Sequence, residues 1–138
     1  MGRILAIDYG KKRTGLAVTD PLQIIASPLD TVPTHEAIRY LQSYHEQEGI
    51  EIFVIGMPKD LMNKDTDSTA SVRSFINLLQ KKFPQHKIHP IDERFTSKMA
   101  KSAMLAGGMR KSERRKKENV DKLSATIILQ SFLESNSL

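Results

Sequence analysis

The chain opens on a short apolar run, Ile4 to Ile7, that ends in a carboxylate, Asp8. A run of this length and composition reads as a central strand, buried on both faces. Gly10 and Gly15 bracket a basic turn, Lys11-Lys12-Arg13, and the alternation from Thr14 to Thr19 reads as its hairpin partner. Asp20-Pro21 breaks that pattern, with Asp20 as a turn residue. Ile24 to Val32 reads as extended, and Pro28 places it near a sheet edge. Thr34 is a good residue to cap a helix running to Glu48, with Ala37, Ile38, Leu41 and Tyr44 on one stripe and Gly49 as the stop.

The second half alternates strand and helix. Ile50 to Ile55 is a strand that gives way to a turn signal, Gly56-Met57-Pro58, and Lys59 to Ser68 is polar and loop-like. Val72, Phe75, Ile76 and Leu79 recur at helical spacing before Pro84. Lys87 to Ile91 is a short strand ending in Asp92-Glu93. Thr96 can cap another helix, which Gly107-Gly108 would end, and Asn119 to Leu133 is a strong final helix. Strands first, then alternating helix and strand, predict one α/β domain over residues 1–138 with a mixed sheet. In such sheets chemistry collects beyond the carboxyl ends of the parallel strands.

Composition narrows the partners. There is no Cys, which excludes disulfides and thiolate metal sites. No apolar run approaches the ~20 residues that span a membrane, and the start, MGRILAID, lacks the features of a signal peptide. The expectation is a cytoplasmic protein with no membrane partner. Net charge is +5, and its distribution matters more than its size: six of the eight residues from Arg110 to Lys117 are Lys or Arg. This knot (Arg110, Lys111, Arg114, Arg115, Lys116, Lys117) and the Lys11-Lys12-Arg13 turn suit a polyanion. A solvated surface is the plainer reading of each.

Three carboxylates then share an address. Asp8 ends the first strand, and Asp92 or Glu93 ends the last. Adjacent residues of a strand point to opposite faces, so only one of that pair can readily meet Asp8. Asp121, Ala125, Ile128 and Phe132 recur at one-stripe spacing on the final helix, so a carboxylate continues an apolar face. A buried carboxylate needs a partner, such as a shared cation, an Arg or a Lys. Asp121 also falls in the helix's first turn, where the dipole alone favours an anion. Hard oxygen ligands select Mg²⁺ or Mn²⁺ over Zn²⁺. Two such ions roughly 3.5–4 Å apart would form a phosphodiester-cleaving centre. The four His residues show no metal-ligand spacing, and His86 and His89 are expected at the surface. Thr14 is expected as a turn hydroxyl and Tyr9 either as a half-exposed packing residue or stacked on a base.

Taken together, "ILAIDYGKKRTGLAVTD", "FVIGMPKD", "IDERFTS" and "VDKLSATIILQSFL" resemble the YqgF/RuvX family, over nearly the whole chain. The resemblance implies a ribonuclease H-like fold, with a five-stranded mixed sheet and helices on both faces. It implies a metal-dependent nuclease, described in the family both as a Holliday junction resolvase and as a nuclease maturing the small-subunit ribosomal RNA precursor. Its acidic positions fall on Asp8, Glu93 and Asp121, which settles the choice left open above. Its basic motif matches Lys116 and Lys117, and Arg94 follows the Glu, where it would contact phosphate or orient a carboxylate. Two departures stand out. Leu61-Met62-Asn63-Lys64 replaces an Asp-Gly pair, and Ser124 stands where the family more often has Ala. The expected partner is nucleic acid, precursor rRNA or branched DNA, met by a monomer or homodimer. Two other classes compete. An ATP-binding module shares the Asp8-x-Gly10 pattern, but this chain lacks a second phosphate loop. A non-catalytic RNA- or ribosome-binding factor would keep the fold without turnover.

Overall fold

Alternation along the first strand builds a sheet with two unlike faces. The computed structural model describes residues 2–57, 67–92 and 117–135, with the backbone alone for 67–69, 92 and 117–121. Its elements are β1 (Arg3–Asp8), β2 (Arg13–Thr19), β3 (Ala26–Pro33), a 3-10 turn (Thr34–Glu36), α1 (Ala37–Glu48), β4 (Ile50–Met57), α2 (Asp67–Lys82), β5 (Lys87–Asp92) and α3 (Lys117–Ser135). The five strands form one sheet in the order β3-β2-β1-β4-β5. β1 pairs antiparallel with β2 and parallel with β4, and β4 pairs parallel with β5.

Leu5 and Ile7 of β1 join a core with Ala37 and Leu41 of α1 and Val72, Phe75 and Leu79 of α2. Ile4 and Ala6 face the other way, into a second core with Ala125, Ile128, Leu129 and Phe132 of α3. Helices therefore cover both faces of a mixed sheet. Phe53, Leu5, Ile7 and Leu16 are fully buried, each contributing roughly 1.5–3 kcal/mol relative to exposure. The helix-spaced residues expected from sequence lie in these cores, and Ala125, Ile128 and Phe132 are all buried. Gly49 ends α1 with φ at +80°, a conformation glycine adopts without a Cβ penalty.

Four details differ from the sequence reading. β4 continues through Gly56 to Met57, because Met57 is buried and pairs with Asp92. Thr34 makes no side-chain cap; it begins the 3-10 turn, and its hydroxyl bonds elsewhere. His86 is half-buried rather than surface-exposed: its Nε2 donates to the Ile50 carbonyl at 2.7 Å, and its ring lies 5.4 Å from that of Phe53. His89 is also half-buried, with its ring 5.2 Å from Phe132. Asp20 is the expected turn residue. Its carboxylate accepts the amides of Ile25, Ile24 and Leu22, bonds that hold its pKa below the usual carboxylate value. The helix expected from Thr96 and the Leu61-to-Lys64 departure lie outside the described residues. Among the described residues no helix is long and apolar enough to cross a membrane.

Ser124 of α3 is buried, and its Oγ has no hydrogen-bond partner among the described residues. An unsatisfied buried hydroxyl costs stability that an alanine does not. Ser124→Ala is expected to raise the midpoint of thermal unfolding by a few degrees, about 1 kcal/mol. A lowered midpoint would show that the hydroxyl is satisfied.

Candidate active site

Asp8 is the last residue of β1, on a strand whose two neighbours run in opposite senses. Its register parity is that of Ile4 and Ala6, so it belongs to the face covered by α3. It is half-buried and, like Arg13, is engaged by neighbouring groups. Two glycines flank it. Gly15 is its in-register partner on β2. On β4 the pair Ile7–Ile55 puts Gly56 one step on, at the level of Asp8. Neither in-register neighbour brings a side chain to that face. Sequence reasoning took Gly15 as a turn bracket and Gly56 as a turn signal and missed that they flank Asp8. Only the strand register reveals it.

Parallel pairing brings the end of β5 to the same edge of the sheet as the end of β1. β5 ends at Asp92, which pairs with Met57, while Ile91 pairs with Gly56 and packs against the α3 core. Position 121 lies on α3 one turn before Ala125, on the stripe that Ile128 and Phe132 continue. Lys117 is the first residue of α3. Glu93, Arg94, Arg110, Lys111, Arg114, Arg115 and Lys116 lie outside the described residues. Among the described residues no group of three or more His, Asp or Glu side chains forms a metal cluster.

Beyond Asp8 the chain turns at once. Lys11 and Lys12 are exposed at the turn, and Arg13 is half-buried at the start of β2. The turn is tight, since a Cβ on Gly10 would overlap the Arg13 carbonyl oxygen. Tyr9 is spent on packing, its ring 5.0 Å from Phe75. Thr14 is fully buried within β2 rather than in the turn, out of reach of a phosphate, and its hydroxyl lies 2.9 Å from that of Thr34. Other features sit elsewhere. The Tyr40 phenol, pushed up to about 12 by burial and then by Asp30, belongs to α1 on the opposite face. A cleft lined by His45, Glu46, Lys82, Phe83 and His86 opens where β4 and β5 begin, at the edge opposite Asp8.

Comparison with known proteins agrees with this architecture. Residues 2–135 match the family model described as "RuvX: Holliday junction resolvase". A protein of Amoebophilus asiaticus named "Putative pre-16S rRNA nuclease" is 56% identical over 135 residues, covering 98% of this chain and 96% of its own. One of the same name from Bacteroides fragilis is 47% identical over the full length of both. Among solved structures, Thermus thermophilus RuvC in complex with a Holliday junction substrate superposes with a TM-score of 0.59 at 15% identity, covering 98% of this chain and 96% of that one. A second Thermus thermophilus RuvC structure gives 0.55 at 14% identity, covering 98% of this chain and 96% of that one. At such identity the likeness speaks for the fold, which is the ribonuclease H-like one. The match across residues 2–135, with relatives this similar over their whole length, places the chain in the RuvX family.

Proposed function

We propose that this chain is a divalent-metal-dependent nuclease that hydrolyses phosphodiester bonds in structured RNA, at the 5′ side of the 16S rRNA precursor. The observation that carries the reading is Asp8. It is a half-buried carboxylate at the carboxyl end of a central strand, flanked in register by Gly15 and Gly56, with exposed Lys11 and Lys12 directly beyond it. The precursor RNA is favoured because the curated relatives carry that substrate in their name.

Asp8, Glu93 and Asp121 are the groups that would hold the metal. They are hard oxygen donors, which fit Mg²⁺ or Mn²⁺. Strand parity supports Glu93 over Asp92. Ile91 packs on the α3 side and Asp92 shares a pair with Met57 of the other core, so a strand alternation continued by one residue would give position 93 the face of Ile91. When bound, divalent ions would supply Lewis acidity at the phosphoryl oxygen and make a bound water more acidic. The protein's own groups do the rest. Lys11, Lys12 and Arg13, with Arg94 and the segment Arg110, Lys111, Arg114, Arg115, Lys116 and Lys117, neutralise flanking phosphates and hold the backbone over the acids. Position 121 heads the apolar stripe of α3 by spacing, and a shared cation would give its carboxylate a partner.

A second reading, cutting of four-way DNA junctions, draws on the family's description as a Holliday junction resolvase and on the substrate in the RuvC complex. Depleting the protein in cells separates the two. Lengthened 16S precursor 5′ ends are expected, and unchanged ends with accumulated junctions would favour DNA.

Asp8→Asn is expected to lower cleavage of a precursor leader transcript by at least about 10²–10³-fold, as loss of a group that stabilises developing charge does. Its affinity for the same RNA in Ca²⁺ should stay within a few-fold of parent. Parental cleavage by this variant would overturn the reading. Binding should also weaken steeply with salt, and removing Lys11 and Lys12 together should flatten the slope of log K against log [salt] by about one to two. An unchanged slope would remove the turn from the interface.

A further inference from the structure

The basic turn is held from behind by one residue of another element. Thr34 touches it twice. Its backbone N–H donates to the Lys12 carbonyl at 3.0 Å, and its hydroxyl donates to the Gly10 carbonyl at 2.5 Å. A carbonyl oxygen only accepts, so the single hydroxyl proton of Thr34 is committed to Gly10. The 2.9 Å contact between the Thr14 and Thr34 hydroxyls therefore has one direction: Thr14 donates and Thr34 accepts. The result is a directed chain, Thr14 to Thr34 to Gly10. Each bond polarises the next, and Thr14, fully buried, has its proton satisfied.

This use of Thr34 is not explained by its own element. The 3-10 turn that it begins receives no side-chain cap. Its hydroxyl instead reaches back 24 residues in sequence to the segment that follows Asp8. The described peptide bonds are all trans, so a carbonyl and the next N–H point in opposite directions. Drawing the Gly10 carbonyl toward Thr34 turns the Lys11 N–H away from it. That N–H takes no partner among the described residues.

We propose that Thr34, its hydroxyl oriented by Thr14, is the positioning residue that fixes the Gly10–Lys12 turn so that Lys11, Lys12 and the Lys11 amide meet a substrate phosphate beside Asp8. The inference rests on the nuclease reading above. A lysine is a flexible point charge, so what fixes its base also fixes how much order remains to be gained on binding.

The test uses the full chain and a fluorescein-labelled 16S precursor leader transcript. Thr34→Val keeps the branched shape and removes the hydroxyl. It is expected to raise KM about tenfold with kcat within about threefold, and to flatten the salt slope of binding by about one. Thr34→Ser should restore parental values. Stability separates positioning from plain folding. Thr14→Val combined with Thr34→Val removes both hydroxyls, so its melting point should recover relative to Thr34→Val, while KM stays raised because Gly10 is still untied. A parental KM and slope in Thr34→Val, or in the double variant, overturns the inference if Lys11→Ala/Lys12→Ala weakens binding. If that lysine pair can be removed without loss of affinity or change in salt slope, the phosphate role of the turn fails, and the inference with it. The binding slope is read without cleavage, so the outcome does not depend on turnover.

Discussion

Parallel hydrogen bonding of β1 to β4, and of β4 to β5, carries three strand ends to one edge of the sheet. That pairing does more than gather ends. Its register fixes which face each terminal residue takes, because side chains alternate with a period of two. Ile4 and Ala6 pack beneath α3, so Asp8 belongs to α3. Slipping the pairing by one residue would turn Asp8 toward the α1 and α2 core and bury Leu5 and Ile7 against the wrong helix. The hydrophobic core and the candidate active site are thus set by the same constraint. The apolar content of β1 locks the position of its one acid.

The surroundings of that acid follow from small residues. Gly15 and Gly56 flank Asp8 in register without side chains, and Gly10 lets the chain reverse immediately after it. Thr34 then anchors the reversed segment through two carbonyls. On the proposed reading, the strand end, its glycine flank and the pinned basic turn would hold a phosphodiester without large rearrangement. Pre-organisation of this kind is what places reacting groups within reach.

Much of this was legible in the sequence, and for an identifiable reason. Ala125, Ile128 and Phe132 announce a helix face by spacing alone, and they are buried as that spacing requires. The strand ending in Asp8 declares itself by four apolar residues and a charge. What sequence could not give was anything set by tertiary pairing. Thr34 has the composition of a cap, yet Gly10 offers its hydroxyl a better acceptor 24 positions away. His86 follows a Pro-Gln pair and looks like a surface residue, but the Ile50 carbonyl needs a donor there. Gly56 and Met57 resemble a turn, and only pairing with Ile91 and Asp92 keeps them in a strand. That Asp92 takes the face of Met57 likewise depends on parity across two strand pairs, which no local pattern encodes.

The central claim is that one anionic pocket, built by that parity, binds a divalent cation. Titration of Mn²⁺ into the full chain, followed by electron paramagnetic resonance, tests it most directly. The account predicts saturable binding that weakens by about tenfold or more in Asp8→Asn, Glu93→Gln and Asp121→Asn alike, while Asp92→Asn binds like the parent. Binding unaffected by these three changes, or lost on changing Asp92 but not Glu93, would contradict it.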